Sequence, residues 1–270
     1  KIYDLTYQLG SGVSSLKEAI HFDVLPDNTE ELEEYLAHVT PYALSDVSFL
    51  PVIPDPGKIL CIGLNYEKHR VETKRPESEF PTIFTRFPDT QVAHRESVIK
   101  PSVSDRVDFE GELAVIMGKG GKNISESEAM ETIIGFSCYN DVSIRDYQRH
   151  TSQFTPGKNF SKTGGFGPFL TMSSSIQNYR DLTIKTQLNG ETVQDAKLDQ
   201  LIFSIPELIS YISTFTPLTP GDVIVSGTPG GVGDRREPPL YMNKGDIVEV
   251  EISQVGKLIN PILDEESIIS

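Results

Sequence analysis

The sequence predicts a mixed α/β fold, mostly β, with a small α/β unit over residues 1–56 ahead of a larger strand-rich body over 57–270. Three observations predict it. Past residue 57 most apolar residues come in short runs of strand length, and few segments carry a helical period with a start signal. The regular strand–helix alternation of a doubly wound sheet is absent. Pro41, Pro51, Pro54, Pro56 and Gly57 punctuate the chain and mark a boundary between the two units.

In the first unit Ile2, Leu5 and Tyr7, then Ile20, Phe22 and Val24, read as members of short strands. Asp27 and Glu30 have the spacing of a capping box and open a helix bearing Leu32, Leu36 and Val39. Glu30, Glu31, Glu33 and Glu34 form its solvated face. In the body, residues 58–64, 82–86 and 112–117 read as buried strands, the last ending in Gly118-Lys-Gly-Gly121, which fits a hairpin turn. Ser125 with Glu128 and Ser204 with Glu207 are two further capping boxes. The first starts a short helix with Met130, Ile133 and Ile134, the second a helix with Leu208, Ile212 and Phe215. Residues 222–226 form a strand after the Pro220-Gly221 turn. Residues 247–252 alternate Val248, Val250 and Ile252 against Glu249 and Glu251.

Composition excludes several classes of function. The chain has 270 residues, 37% hydrophobic and 23% charged, which is ample for a core. Its formal net charge of −15 argues against a nucleic-acid partner, which needs clustered Lys and Arg, and against anionic membrane surfaces. No apolar stretch approaches the ~20 residues of a membrane span. Cys61 and Cys138, the only cysteines, lie in apolar surroundings and are expected to be buried free thiols. The sequence opens at Lys1 with no signal peptide in view, which fits a cytoplasmic protein or one whose organelle-targeting leader has been removed.

Two glycine clusters imitate phosphate loops. Gly118–Gly121 lacks the Lys-Ser/Thr ending of such a loop. Gly227-Thr-Pro-Gly-Gly-Val-Gly233 follows a strand, but the Asp-Arg-Arg-Glu-Pro-Pro run after it cannot open the helix that would face a pyrophosphate. A glycine loop without a helix suits close backbone approach to a small ligand. Motifs of zinc proteases and α/β-hydrolases are absent.

The acids carry more information. If residues 107–116 form one strand, period two puts Asp108, Glu110 and Glu112 on one face. Such a column of carboxylates is either a charged edge that discourages aggregation or a site for a cation. Gly111 between the glutamates favours the second reading, because a mid-strand glycine often marks close approach of a ligand. A further acid, Asp141, ends an apolar run and precedes Arg145, Asp146 and Gln148. Carboxylates without His or Cys favour Mg²⁺ or Mn²⁺ over zinc. His69 and Glu72 lie three apart and are neighbours on a helix; they form either a general-base pair or incidental charges on a polar surface segment.

Taken together, Asn65-Tyr-x-x-His69-x-x-Glu72, Asp108-Phe-Glu-Gly-Glu-Leu113, Asn140-Asp-Val-Ser-Ile-Arg-Asp-Tyr-Gln148, Pro156-Gly-Lys-Asn-Phe160 and Ser226-Gly-Thr-Pro-Gly-Gly-Val-Gly233 occur in that order. The set strongly resembles the fumarylacetoacetate hydrolase family, in its acylpyruvase, oxaloacetate decarboxylase and hydroxymuconate isomerase branch, over about residues 57–263. The resemblance implies a β-roll fold, a homodimer, and one Mg²⁺ or Mn²⁺ per chain held by Glu110, Glu112 and Asp141. It implies a catalytic His69–Glu72 dyad on a mobile lid and Lys158 beside the metal. Arg145, Gln148 and the Thr228 loop would hold the acidic end of a small 2-oxo acid. Asp108 matches the pattern without a metal bond.

One departure stands out. Where the family commonly has Phe-x-Lys-Pro, this chain has Phe84-Thr-Arg86-Phe-Pro88, so Arg86 either reaches a carboxylate of the ligand or is structural. The polar stretch 89–96, with His94, is a second candidate for setting specificity. The implied activity is C–C hydrolysis of acylpyruvate-type acids through an enolate stabilised by the ion. Oxaloacetate decarboxylation and muconate-type isomerisation are the alternatives, and a catalytically silent metal-binding protein is a remote one. Three carboxylates and one dication sum to −1, so an anionic substrate needs Lys158 and Arg145 to offset repulsion.

Overall fold

A computed structural model describes every residue except 27, 28, 38 and 270. In chain order its strands are β1 (Ile59–Gly63), β2 (Thr82–Arg86), β3 (Gln91–Val92), β4 (Val98–Lys100), β5 (Val107–Asp108), β6 (Gly111–Met117) and β7 (Ile133–Asp141). They continue as β8 (Ser143–Ile144), β9 (Gly164–Met172), β10 (Thr183–Leu188), β11 (Glu191–Lys197), β12 (Val223–Val225), β13 (Ile247–Ile252) and β14 (Gly256–Asp264). The α-helices are α1 (Leu16–His21), α2 (Thr29–Leu36), α3 (Glu67–Glu72), α4 (Glu126–Ala129), α5 (Arg145–Gln148), α6 (Thr155–Lys158), α7 (Ile205–Phe215) and α8 (Glu266–Ile269).

A seven-stranded sheet runs β2-β1-β12-β6-β7-β9-β3, a five-stranded sheet β11-β10-β13-β14-β4, and β5 pairs with β8. Both larger sheets are mixed: β1 is parallel to β12, β3 to β9 and β14 to β4, while their other neighbours are antiparallel. The fold is thus mostly β, as expected. Strand β6 shows why its sequence is apolar throughout: it is buried on both faces. Leu113, Val115 and Met117 pack against Ile184, Val250 and α7. Ala114 and Ile116 turn the other way, toward Val223 and Val225. Ile20, Val52 and Ile53, from before residue 57, join this second cluster.

The capping boxes at Ser125–Glu128 and Ser204–Glu207 form as expected, but the helix after the first ends at Ala129, and Ile133 and Ile134 open β7 instead of extending it. Of the acidic helix, α2 is present, and its expected Asp27 cap lies outside the described residues. Both cysteines are buried free thiols. No helix among the described residues is long and apolar enough to cross a membrane.

Three local expectations are corrected. Residues 16–21 are helical rather than strand, because Ser15 caps the Glu18 N–H and Leu16, Ala19 and Ile20 have helical spacing. The strand-like contact near the N-terminus is one bridge between Ile2 and Tyr42. Gly118–Gly121 is not a hairpin turn: Gly121 bridges to Leu218, and α4 lies between β6 and β7. Residues 107–116 are not one strand either, since β5 ends at Asp108 and β6 begins at Gly111. The break frees Glu110 to turn toward Glu112 while Asp108 points elsewhere.

Gly111 itself is explained by packing. A Cβ there would lie 2.1 Å from Thr186 Oγ1 and 3.2 Å from Val250. The close neighbour is the second sheet rather than a ligand.

Candidate active site

The site is assembled where β6, β7, α3, α5, α6 and the loop after β12 converge. Carboxylate oxygens of Glu110, Glu112 and Asp141 all lie within 4.8 Å of one another. Glu110 precedes β6, Glu112 lies in it, and Asp141 ends the paired strand β7. Asn140 supports the arrangement, its Oδ1 accepting the Glu110 N–H at 3.0 Å.

Buried cations answer these acids. Lys158 Nζ, at the end of α6, donates to Glu110 Oε2 at 2.6 Å and to Asp141 Oδ2 at 2.5 Å. Arg145 Nε donates to Asp108 Oδ2 at 2.8 Å, and its Nη2 lies 2.7 Å from Glu110 Oε1. Burial pushes Glu110 up, but Lys158 and Arg145 together hold it below the usual carboxylate range. Glu112 goes the other way. Burial, then the charges of Asp141 and Glu110, push its carboxyl well above the usual range. A proton or a cation on Glu112 would relieve that repulsion. Three hard oxygen donors without His or Cys fit a divalent ion of the Mg²⁺ or Mn²⁺ type.

The loop after β12 grips the acids by its backbone. Gly227 N–H donates to Glu112 Oε2 at 2.6 Å and Gly231 N–H to Glu72 Oε2 at 2.9 Å. Gly233 and Asp234 N–H groups donate to the two oxygens of Asp108 at 2.8 and 2.9 Å. Asp108 therefore anchors this loop and Arg145, consistent with no metal bond. Gly227 has φ +105°, and a Cβ there would meet Asn65 Cβ at 2.6 Å, so glycine is required at this turn. The glycines thus bring backbone to the site's own acids.

His69 and Glu72 sit on α3, where Nδ1–H of His69 donates to Glu72 Oε1 at 2.7 Å. That fixes the proton on Nδ1 and leaves Nε2 as the basic nitrogen. His69, Glu110, Glu112, Arg145, Gln148 and Lys158 all line one cavity of about 490 Å³. Asp141 lies behind this wall, completely buried. Gln148 Oε1 accepts from Arg145 Nη1 at 3.0 Å, which leaves its amide N–H groups for a ligand. Thr228 also lines the cavity, although its hydroxyl already donates to Gly111 O at 2.9 Å.

Of the two readings of Arg86 the structure favours the structural one, and neither Arg86 nor His94 lines the cavity. The Arg86 side chain is fully buried and bonded to Asp141, Val142 and Thr163, away from the cavity wall. His94 Nδ1 accepts the Ile259 N–H at 3.2 Å while its ring packs on Phe49.

The structure adds residues with no motif to announce them. Gln194 accepts from Gly111 N–H and donates to Thr228 Oγ1 and Pro229 O, tying β6 to the glycine loop. Arg149 and Arg235, both partly exposed, line the cavity and pair with Asp234. The signal for Arg149 was its place beside Gln148; Gln194 offered none.

This fold and this constellation define the class. A family model described as the C-terminal region of fumarylacetoacetate hydrolase matches residues 58–263. The chain belongs to the fumarylacetoacetate hydrolase family of enzymes. It is 40% identical over 221 residues to human mitochondrial oxaloacetate tautomerase FAHD2A, covering 81% of this chain and 70% of that protein. Fumarylacetoacetate hydrolase from Exiguobacterium antarcticum superposes with a TM-score of 0.84 at 30% identity, over 97% of this chain and 92% of the other. Fumarylpyruvate hydrolase from Pseudomonas aeruginosa, solved with Mn²⁺ and pyruvate, superposes with a TM-score of 0.70 at 32% identity, over 77% and 90% of the two chains.

Proposed function

We propose that this protein is a divalent-metal-dependent enzyme acting on short 2-oxo dicarboxylic acids through their enol forms, with keto–enol interconversion of oxaloacetate as its leading reaction. The observation that carries the reading is the one cavity onto which His69, oriented from behind by Glu72, opens together with Glu110 and Glu112 of the acid cluster. The human relative's name and the Mn²⁺ and pyruvate in the Pseudomonas structure support the substrate class and the ion.

An ion held by Glu110, Glu112 and Asp141 would supply Lewis acidity toward the carboxylate and 2-oxo oxygens of such an acid. The chain's own residues supply the rest. Arg145 and the Gln148 amide orient the carboxylate nearest the 2-oxo group. Arg149 and Arg235, also on the wall, offer positive charge to a second carboxylate. His69 Nε2 removes or returns the proton at C3, and Glu72 stabilises the imidazolium formed in between. The enol hydroxyl loses a proton, C3 gains one, and no water is consumed.

C–C hydrolysis of acylpyruvates is the second reading, favoured by the same dyad, which is equally able to activate a water, and by the fumarylpyruvate hydrolase neighbour. A substrate panel separates them. Enol-oxaloacetate and acetylpyruvate are each supplied with Mg²⁺, Mn²⁺ or EDTA, and conversion is followed by ultraviolet absorbance. Metal-dependent ketonisation faster than acylpyruvate cleavage supports the first reading. Cleavage without ketonisation supports the second, and neither activity would reject both.

A further inference from the structure

We infer that Arg86 is a positioning residue of the metal centre, fixing Asp141 from behind. The inference rests on the reading that Glu110, Glu112 and Asp141 hold a divalent ion.

Arg86 closes β2, and its side chain has no exposed surface. Its Nη1 donates to Asp141 Oδ1 at 2.6 Å and to Val142 O at 3.1 Å. Its Nη2 donates to Thr163 Oγ1 at 2.6 Å, and that hydroxyl in turn donates to Phe160 O at 2.6 Å. The guanidinium is therefore held at both of its ends. The opposite oxygen of Asp141 accepts from Lys158, which also holds Glu110. Two cations thus grip the two oxygens of one carboxylate, and rotating that carboxylate would break both contacts. Space for the guanidinium depends on Gly164, where a Cβ would come within 3.0 Å of Arg86 Nε and 2.6 Å of the Tyr139 hydroxyl.

Partners behind a metal ligand set its orientation, and their loss typically weakens metal binding ~10–100-fold. The test is Mn²⁺ binding to the full chain, read by titration and by the electron paramagnetic resonance spectrum of the bound ion. Arg86→Met should raise the Mn²⁺ Kd by ~10–100-fold and alter the spectrum. Arg86→Lys, which keeps a cation in reach of Asp141 Oδ1, should restore most of the affinity. Thr163→Val keeps the guanidinium but frees one end of it, and should raise the Kd several-fold. A folded Arg86→Met protein with wild-type Kd and spectrum would overturn the inference. If Arg86→Met does not fold, wild-type Mn²⁺ binding by Thr163→Val overturns it instead. Failure of the wild-type chain to bind Mn²⁺ would reject the metal centre itself, a separate outcome.

Discussion

Gly231 donates its backbone N–H to Glu72 Oε2 at 2.9 Å, while the other oxygen of Glu72 accepts from His69 Nδ1 at 2.7 Å. One carboxylate therefore orients the base and ties α3 to the glycine loop. The segment 66–80 is anchored at this end, where Tyr66 and His69 are buried, and residues 74–80 are exposed. The polar composition of residues 66–80 suggests a segment with no anchor at all; its anchors come from far away in sequence, the Gly231 N–H on Glu72 and the bridge from Tyr66 to Leu201.

Hydrogen exchange should resolve these two parts of the segment. Amides of residues 74–80 should exchange fast in the free protein, and those of 69–72 more slowly. Addition of Mn²⁺ with oxalate, a chelating enolate mimic, should slow exchange at 74–80. Identical exchange of both parts, or no response to oxalate, would count against a lid that orders from an anchored base.

Metal binding should depend on pH through Glu112. Its folded-state carboxyl is raised above the unfolded value of about 4.3 by burial and by Asp141 and Glu110. Its contribution to stability is full below the unfolded value and is lost as pH rises toward the folded one. Proton and metal compete for the same oxygen. Mn²⁺ affinity should therefore increase with pH, and Mn²⁺ should raise the Tm more at about pH 8 than at about pH 6. Glu112→Gln should remove most of the affinity and this pH dependence. Equal Mn²⁺ stabilisation at both pH values would rule out Glu112 as the titrating ligand.

Gly111→Ala tests the sheet contact beneath Glu110 and Glu112. The new methyl would meet Thr186 Oγ1 at 2.1 Å. Forcing the sheets apart should destabilise the protein by about 1–3 kcal/mol, measured by denaturant unfolding. Gly111→Ala combined with Thr186→Ala should recover part of that loss. Wild-type stability in the single variant would show that the sheets give way freely.

The sequence made the site more legible than its scaffolding. His69, Glu110, Glu112, Arg145, Gln148 and Lys158 are brought to one cavity, with Glu72 bonded to His69, because motif spacing reflects local chemistry. Capping boxes and the alternation of β13 were readable for the same local reason. Arg86 was not, since whether it faces ligand or Asp141 depends on β2 lying beside β1, a pairing no local pattern specifies. Gly111 reads in sequence as room for a ligand because the second sheet that needs the space, with Thr186 and Val250, is distant in sequence. The helix at residues 16–21 reads as strand in the sequence because Ile20, Phe22 and Val24 alternate across its C-terminal end, while the Ser15 signal lies at its other end.

The ketonisation rate of enol-oxaloacetate at saturating Mg²⁺, compared between the wild type and His69→Ala, tests the central claim most directly. Removing a general acid–base typically costs ~10²–10⁴ in rate. A loss of that order with Mn²⁺ binding unchanged is expected, because the proposed task of His69 is proton transfer at C3 and it is not among the three carboxylates that would hold the ion. Wild-type ketonisation by His69→Ala, or a wild-type rate indifferent to EDTA, would contradict the claim.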